Sequence, residues 1–283
     1  TVGPLDTCSN MVLATIDGTV TDSGVADPGC GSYSNGPDLW YQLTIPSSGG
    51  VRIETSSSGS INDTGIAVYS DTCGSLQFIR CNDDIVTNSD TFSGINVAGT
   101  QGETIYIRVW QYGGGTGTFN ICAYEITPPP VANNDDCSTA EELTLGLNCN
   151  PIVGYNNATN SEDFDSTIPG TGCARYEGAD VWYWVKVPAS GKVTIETTED
   201  DDRYITDNGI AIYFGTCDSN LSLQQCNDGG NSNSIYDFGR IALTGLTPDE
   251  IIYVRVWAYA NAELGGFKIC AINPEALSTD EFK

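Results

Sequence analysis

The chain has 283 residues, 37 of them acidic and 11 basic, with no histidine and a formal net charge of −26. That charge excludes nucleic acid and anionic membrane surfaces as electrostatic partners. Without histidine, Ser-His-Asp and Cys-His catalysis and HExxH metal sites are excluded as well.

Short apolar runs between Gly, Ser, Thr, Asn and Asp, with no long stretch of helical period, make the chain all-β. In the first half, strands are predicted near 11–16, 18–21, 39–45, 50–56, 65–69, 76–80, 91–97, 104–111 and 117–124. The run Gly113-Gly-Gly-Thr-Gly117 turns the last two into a hairpin. Within 104–112, alternation places Tyr106, Arg108, Trp110 and Tyr112 on one face, with Ile107 and Val109 on the other. So many short alternating strands predict β-sandwiches of jelly-roll type.

The second half repeats the first. Asp38-Leu-Trp40-Tyr returns as Asp180-Val-Trp182-Tyr, and Gly65-Ile-Ala-Val-Tyr69 as Gly209-Ile-Ala-Ile-Tyr213. Cys81-Asn-Asp83 returns as Cys226-Asn-Asp228, and the Tyr106 run as Tyr253-Val-Arg-Val-Trp-Ala-Tyr259, with Arg255 and Trp257 in the same places. Pairing Cys8 with Cys137 by their shared Asp-x-Cys-Ser context puts about fourteen extra residues near the start of copy two. The expected organisation is a sandwich over 1–126, a proline-rich linker over 127–132, a second sandwich over 133–273 and a tail over 274–283.

Eleven cysteines without CxxC pairs point to disulfides in an oxidising compartment. Cys73/Cys81 and Cys217/Cys226 flank the turn of a predicted hairpin and are expected to bond locally. Copy one has nothing matching Cys149, so one of its cysteines is unpaired. Cys149–Cys173 and Cys137–Cys270, with Cys8–Cys122 leaving Cys30 free, is one pairing among those the spacing allows. With neither a signal peptide nor an apolar run of membrane-spanning length, the expectation is a mature exported fragment, not inserted in a membrane.

Hairpin geometry gathers acids. Asp63 precedes one strand and Asn82, Asp83 and Asp84 follow its antiparallel partner, so their oxygens meet at one end. Copy two offers Asp207, Asn208, Asn227 and Asp228 there. Oxygen-rich loops of this kind suit Ca²⁺, although Asx residues also serve simply as turn formers.

The order of Asn-Asp-Asp-Cys-Ser at 134–138, Asp180-Val-Trp-Tyr, Cys226-Asn-Asp and Tyr253-Val-Arg-Val-Trp resembles the cysteine-containing pre-peptidase C-terminal domains of secreted Bacteroidetes proteins. The tail Ala276–Lys283 resembles the linker before a type IX secretion sorting domain. The resemblance implies secretion or cell-surface display and a non-catalytic, calcium-stabilised sandwich. It further implies a second metal constellation of Asn134, Asp135, Asp136 and Asp180.

The aromatic faces admit two readings. Tyr106, Arg108, Trp110, Tyr112, Trp182, Trp184, Tyr253, Arg255, Trp257 and Tyr259 form a platform for sugar or peptide, or else the aromatics pack internally and each arginine makes a structural ion pair. No nucleophile elbow or phosphate loop is present, and a two-carboxylate glycosidase would call for one extended cleft. The expected function is a secreted accessory or adhesion module binding extracellular polysaccharide or protein. The alternative is a structural spacer for other domains of the same precursor.

Overall fold

The computed structural model describes residues 8–19, 23–33, 36–85, 90–156, 168–173, 176, 178–201, 205–217, 220–230, 237–259 and 264–274. The chain divides into two compact units, Thr1–Pro128 and Pro129–Lys283. The tail Ala276–Lys283 lies outside the described residues. Among the described residues, no helix is long and apolar enough to cross a membrane.

Unit 1 is built from β1 (Val12–Ile16), β2 (Asp38–Thr44), β3 (Gly50–Ser57), β4 (Thr64–Ser70), β5 (Gln77–Asn82), β6 (Gly94–Ala98), β7 (Thr104–Gln111) and β8 (Gly117–Ile126). They form two antiparallel sheets, in the orders β1-β8-β3-β6 and β2-β7-β4-β5. This interleaving is a jelly roll of two Greek keys. Strand 18–21 is not formed as predicted: residues 18 and 19 make a turn, and 20–21 lie outside the described residues. Asp17 Oδ1 accepts the Thr19 N–H at 2.8 Å, a local bond that competes with strand pairing.

Unit 2 repeats this plan with β11 (Ile152–Asn156), β12 (Asp180–Lys186), β13 (Val193–Glu199), β14 (Asn208–Phe214), β15 (Ser222–Asn227), β16 (Arg240–Leu243), β17 (Ile251–Ala258) and β18 (Gly265–Ile272). An N-terminal extension adds a 3₁₀ turn (Cys137–Thr139), β9 (Glu141–Glu142) and β10 (Leu145–Gly146). β9 joins the free edge of β12, and β10 pairs with β18.

The inward residues of the alternating pattern fill each sandwich. In unit 1 they include Val51, Ile53, Ile66, Val68, Ile107, Val109 and Phe119; in unit 2, Val193, Ile195, Ile210, Ile212, Val254, Val256 and Phe267. Each such side chain taken from water contributes about 1.5–3 kcal/mol.

Disulfides tie loops to this frame, and the hairpin pairs are not among them. The bonds are Cys8–Cys122, Cys30–Cys81, Cys137–Cys217, Cys149–Cys270 and Cys173–Cys226, with Cys73 a free, exposed thiol. The expected pairs Cys73–Cys81, Cys217–Cys226, Cys149–Cys173 and Cys137–Cys270 are therefore corrected, as is the assignment of Cys30 as the free thiol. Cys81 stands opposite Ala67 on the outer face of its sheet, where the loop before β2 brings Cys30 to it. Cys8 matches Cys149, not Cys137, since each precedes the first strand of its roll and bonds the last. The extra residues of copy two are the extension, and Cys137 belongs to it.

Candidate functional site

The strand that carries the arginine is covered on both faces. Across the sheet of unit 1, one row reads Trp40, Arg108, Ala67, Cys81 and the next Asp38, Trp110, Gly65. Unit 2 repeats them as Trp182, Arg255, Ala211, Cys226 and Asp180, Trp257, Gly209. The small residues of the repeated Gly-Ile-Ala motif make room for the neighbours: a Cβ on Gly65 would overlap the Trp110 indole.

Over these rows lies the loop before β2, fastened by Cys30–Cys81. Tyr33 meets Trp110 edge-on at 5.6 Å, and Arg108 stacks over the Tyr33 ring at 4.1 Å. Arg108 Nε donates to Asp38 Oδ2 at 2.7 Å, and its Nη1 donates to the Ala26 carbonyl at 2.9 Å. In unit 2, Arg255 Nε donates to Asp180 Oδ2 at 2.5 Å and stacks over Tyr176 at 4.0 Å. Arg108 is 0% and Arg255 2% exposed, with Trp110, Trp182 and Trp257 at 1% or less. This corrects the ligand-platform reading for these five residues: they are a second packed layer. Tyr106, Trp184 and Tyr253 are half-buried, and Tyr112 and Tyr259 stay exposed at the strand ends.

The same framework absorbs part of the expected metal sets. Asp180 is spent on Arg255 and on the Tyr176 hydroxyl, which donates to it at 2.6 Å. Asn134 Nδ2 donates to the Trp182 carbonyl at 2.8 Å, and Asp136 lies exposed at the 3₁₀ turn, where its carbonyl accepts the Thr139 N–H. Asp135, Asp136 and Asp180 form no three-carboxylate cluster among the described residues. Asn82 Oδ1 accepts the Gly94 N–H, Asn227 Oδ1 the N–H groups of Gly229 and Arg240, and Asn208 Oδ1 the Thr197 hydroxyl and Gly239 N–H. The side-chain oxygens of Asn82, Asp180, Asn208 and Asn227 thus hold strands and loops in place, while Asn134 is held through its Nδ2 and Asp136 faces solvent.

What remains is a carboxylate trio at one end of unit 1 and a looser group of acids in the corresponding place of unit 2. In unit 1, carboxylate oxygens of Asp63, Asp83 and Asp84 lie within 4.8 Å of one another. Asp63 Oδ1 and Asp83 Oδ1 are buried without a hydrogen-bond partner. Burial, then the Asp84 charge, pushes Asp63 up to about 6; burial, then Asp84 and Asp63, pushes Asp83 up to about 7. Gly31, at φ +49°, lets the covering loop approach: a Cβ there would stand 2.6 Å from Asp83 Oδ1. The Asp63 carbonyl accepts the Tyr112 N–H at 3.3 Å, so the exposed tyrosine starts beside the trio.

In unit 2 the acids near Asp207 do not close into a trio as tight as that of unit 1 among the described residues. Burial, then Asp237, then Asp228, pushes Asp207 up to about 7, and Asp207 Oδ1 is also buried without a hydrogen-bond partner. Asp237 bridges Asp207 along the backbone, and the Asp207 carbonyl accepts the Tyr259 N–H at 3.1 Å. Alignment of the copies gives no hint of Asp237, because unit 1 takes its third carboxylate from Asp84, next to Asp83 in sequence. Orphaned, mutually repelling oxygens fit a hard divalent cation such as Ca²⁺, whose charge would offset the repulsion.

A family profile described as galactose-binding-domain-like and associated with the type IX secretion system matches residues 6–121 and 133–238. Its two matches fall one on each jelly roll, and they are to this family, not to the pre-peptidase C-terminal domains. No curated relative matches the chain. Among solved structures, the PBSX exported protein XepA is 8% identical, covering 93% of this chain and 87% of that one, at a TM-score of 0.25. An uncharacterised Burkholderia cenocepacia protein is 10% identical over 89% and 81%, at 0.24. A carbohydrate-binding module of the β-sandwich superfamily is 12% identical over 82% and 94%, at 0.23. TM-scores this low carry no argument.

Proposed function

The chain belongs to the galactose-binding-domain-like family associated with type IX secretion, and from that premise we propose that it is a non-catalytic accessory module working outside the cell. Unit 1 holds one Ca²⁺ at its carboxylate trio of Asp63, Asp83 and Asp84, and in unit 2 the corresponding ligands are Asp207, Asp228 and Asp237, drawn together by the ion. The ligand is extracellular polysaccharide. Sugar hydroxyls reach the cation while Tyr112 or Tyr259 offers an aromatic face to a ring.

The observation that carries this reading is the exposed tyrosine that each unit places beside an aspartate whose Oδ1 is buried without a hydrogen-bond partner, joined in unit 1 to a converging carboxylate trio. Affinity electrophoresis through soluble polysaccharides, with Ca²⁺ and with EDTA, tests it. Retardation that needs Ca²⁺ and is lost in Tyr112→Ala/Tyr259→Ala supports the reading; mobility unaffected by any glycan removes it. Burial of the tryptophans and arginines favours a second reading, a disulfide-stiffened spacer, which predicts that uniform absence of binding.

A further inference from the structure

The two units differ at one sheet edge. In unit 2 the extension runs along the free side of β12. The Asn134 carbonyl accepts the Trp182 N–H at 2.7 Å, and the Leu143 N–H donates to the Trp184 carbonyl at 2.9 Å. Cys137 bonds Cys217 in the β14–β15 turn, and Leu143, 4% exposed, joins the inter-sheet core with Tyr183 and Val185. Beneath this cover β12 is buried nearly throughout.

Unit 1 keeps the receiving surface. β2 is an edge strand, and its Trp40, Tyr41 and Leu43 are half-buried where Trp182, Tyr183 and Val185 are buried. Cys73, the counterpart of Cys217, is an exposed thiol. It borders a cavity of about 400 Å³ lined by Val25, Trp40, Leu76 and Tyr106, counterparts of which surround Cys137 and Ala140 in unit 2. A second cavity, about 120 Å³, lies between the sheets among Tyr41, Leu43, Ile53, Ile107 and Ile121. Their equivalents in unit 2 form the core that Leu143 enters.

We propose that unit 1 accepts an extended, cysteine-bearing peptide segment of the kind that unit 2 carries as residues 133–146. The segment adds parallel to β2, its cysteine bonds Cys73, and a leucine six residues further on fills the smaller cavity. A separate polypeptide supplies it, because among the described residues the one such segment is already held by unit 2. The bond forms by thiol–disulfide exchange. The Cys73 thiolate attacks the donor cysteine's sulfur in a mixed disulfide, a new S–S bond forms, and the displaced thiolate leaves with the electron pair.

The test uses the intact chain and a synthetic peptide of residues 131–146, its cysteine activated as a thionitrobenzoate disulfide. One equivalent of thionitrobenzoate should be released with the adduct at Cys73, about a hundredfold faster than with a scrambled peptide, because docking raises the local concentration. Gln42→Pro should fold normally, since by the register of Trp184 its N–H faces the free side, yet lose that advantage. The unactivated peptide should still raise the melting temperature of Cys73→Ser. Equal rates for native-order and scrambled peptides would reduce Cys73 to an ordinary exposed thiol and overturn the proposal. So would a Cys73-linked homodimer as the main product in the presence of peptide.

Discussion

Arg108 and Asp38 are held 2.7 Å apart, Nε to Oδ2, with both side chains withdrawn from water, at 0% and 1% exposure. Arg255 and Asp180 repeat the pair in unit 2. Desolvation alone would lower the pKa of each arginine, but the facing carboxylate and the tyrosine oxygens raise it above the usual range. The guanidinium therefore stays charged in a packed layer, as the anchor by which the β2 strand and its covering loop are joined to β7.

Replacing one partner strands the other. Arg108→Leu should lower stability by about 3–5 kcal/mol, the range for an orphaned buried charge. Asp38→Leu/Arg108→Leu should recover part of it. Urea midpoints of the three variants check this, and a midpoint shift that vanished with added salt would contradict the burial.

The buried aspartates at these roll ends make stability depend on pH. Asp63, Asp83 and Asp207 titrate at about 6, 7 and 7 in the fold, against about 4 when unfolded. In EDTA the folded state then binds more protons between roughly pH 4 and 7, so stability falls as pH rises through that window. Ca²⁺ should abolish the fall, and Asp83→Asn should flatten it without metal while weakening the Ca²⁺ effect. Melting temperatures across pH, with and without EDTA, decide it.

Non-reducing peptide mapping should recover Cys30–Cys81 and Cys173–Cys226, with one alkylated thiol at Cys73. Cys30→Ser should cost about 4 kcal/mol in the chain-entropy picture for a loop of this length. It should also expose the Tyr33–Trp110 layer, read as a change in tryptophan fluorescence.

Gly65→Ala should destabilise unit 1 by about 1–3 kcal/mol, because the new methyl must displace a buried indole. Thermal unfolding of the variant checks the direction. An unchanged melting temperature would mean that the indole has room to move.

The acid clusters show how far local pattern carries. That Asp63 and Asp83 meet follows from hairpin direction alone, which a strand reading supplies. That Asn82, Asn208 and Asn227 turn inward to bind backbone does not, since an amide oxygen serves a loop as well as a cation. Asp237 was invisible for another reason: its approach to Asp207 depends on the path of a connection, and the copies use different positions for the same charge.

The sequence by itself determined two jelly rolls, because strand alternation and the order of repeated motifs are local properties that survive insertions. Tertiary structure alone decided what the Tyr-x-Arg-Val-Trp strands face and which cysteines meet. Both faces of those strands carry large side chains, and alternation does not say whether the second face is left to water or roofed by a loop. The bond that fastens the roof joins Cys30 to Cys81, 51 residues away. Such a partner is chosen by which side chains the closed sheet presents to one another, and proximity along the chain favoured the wrong one.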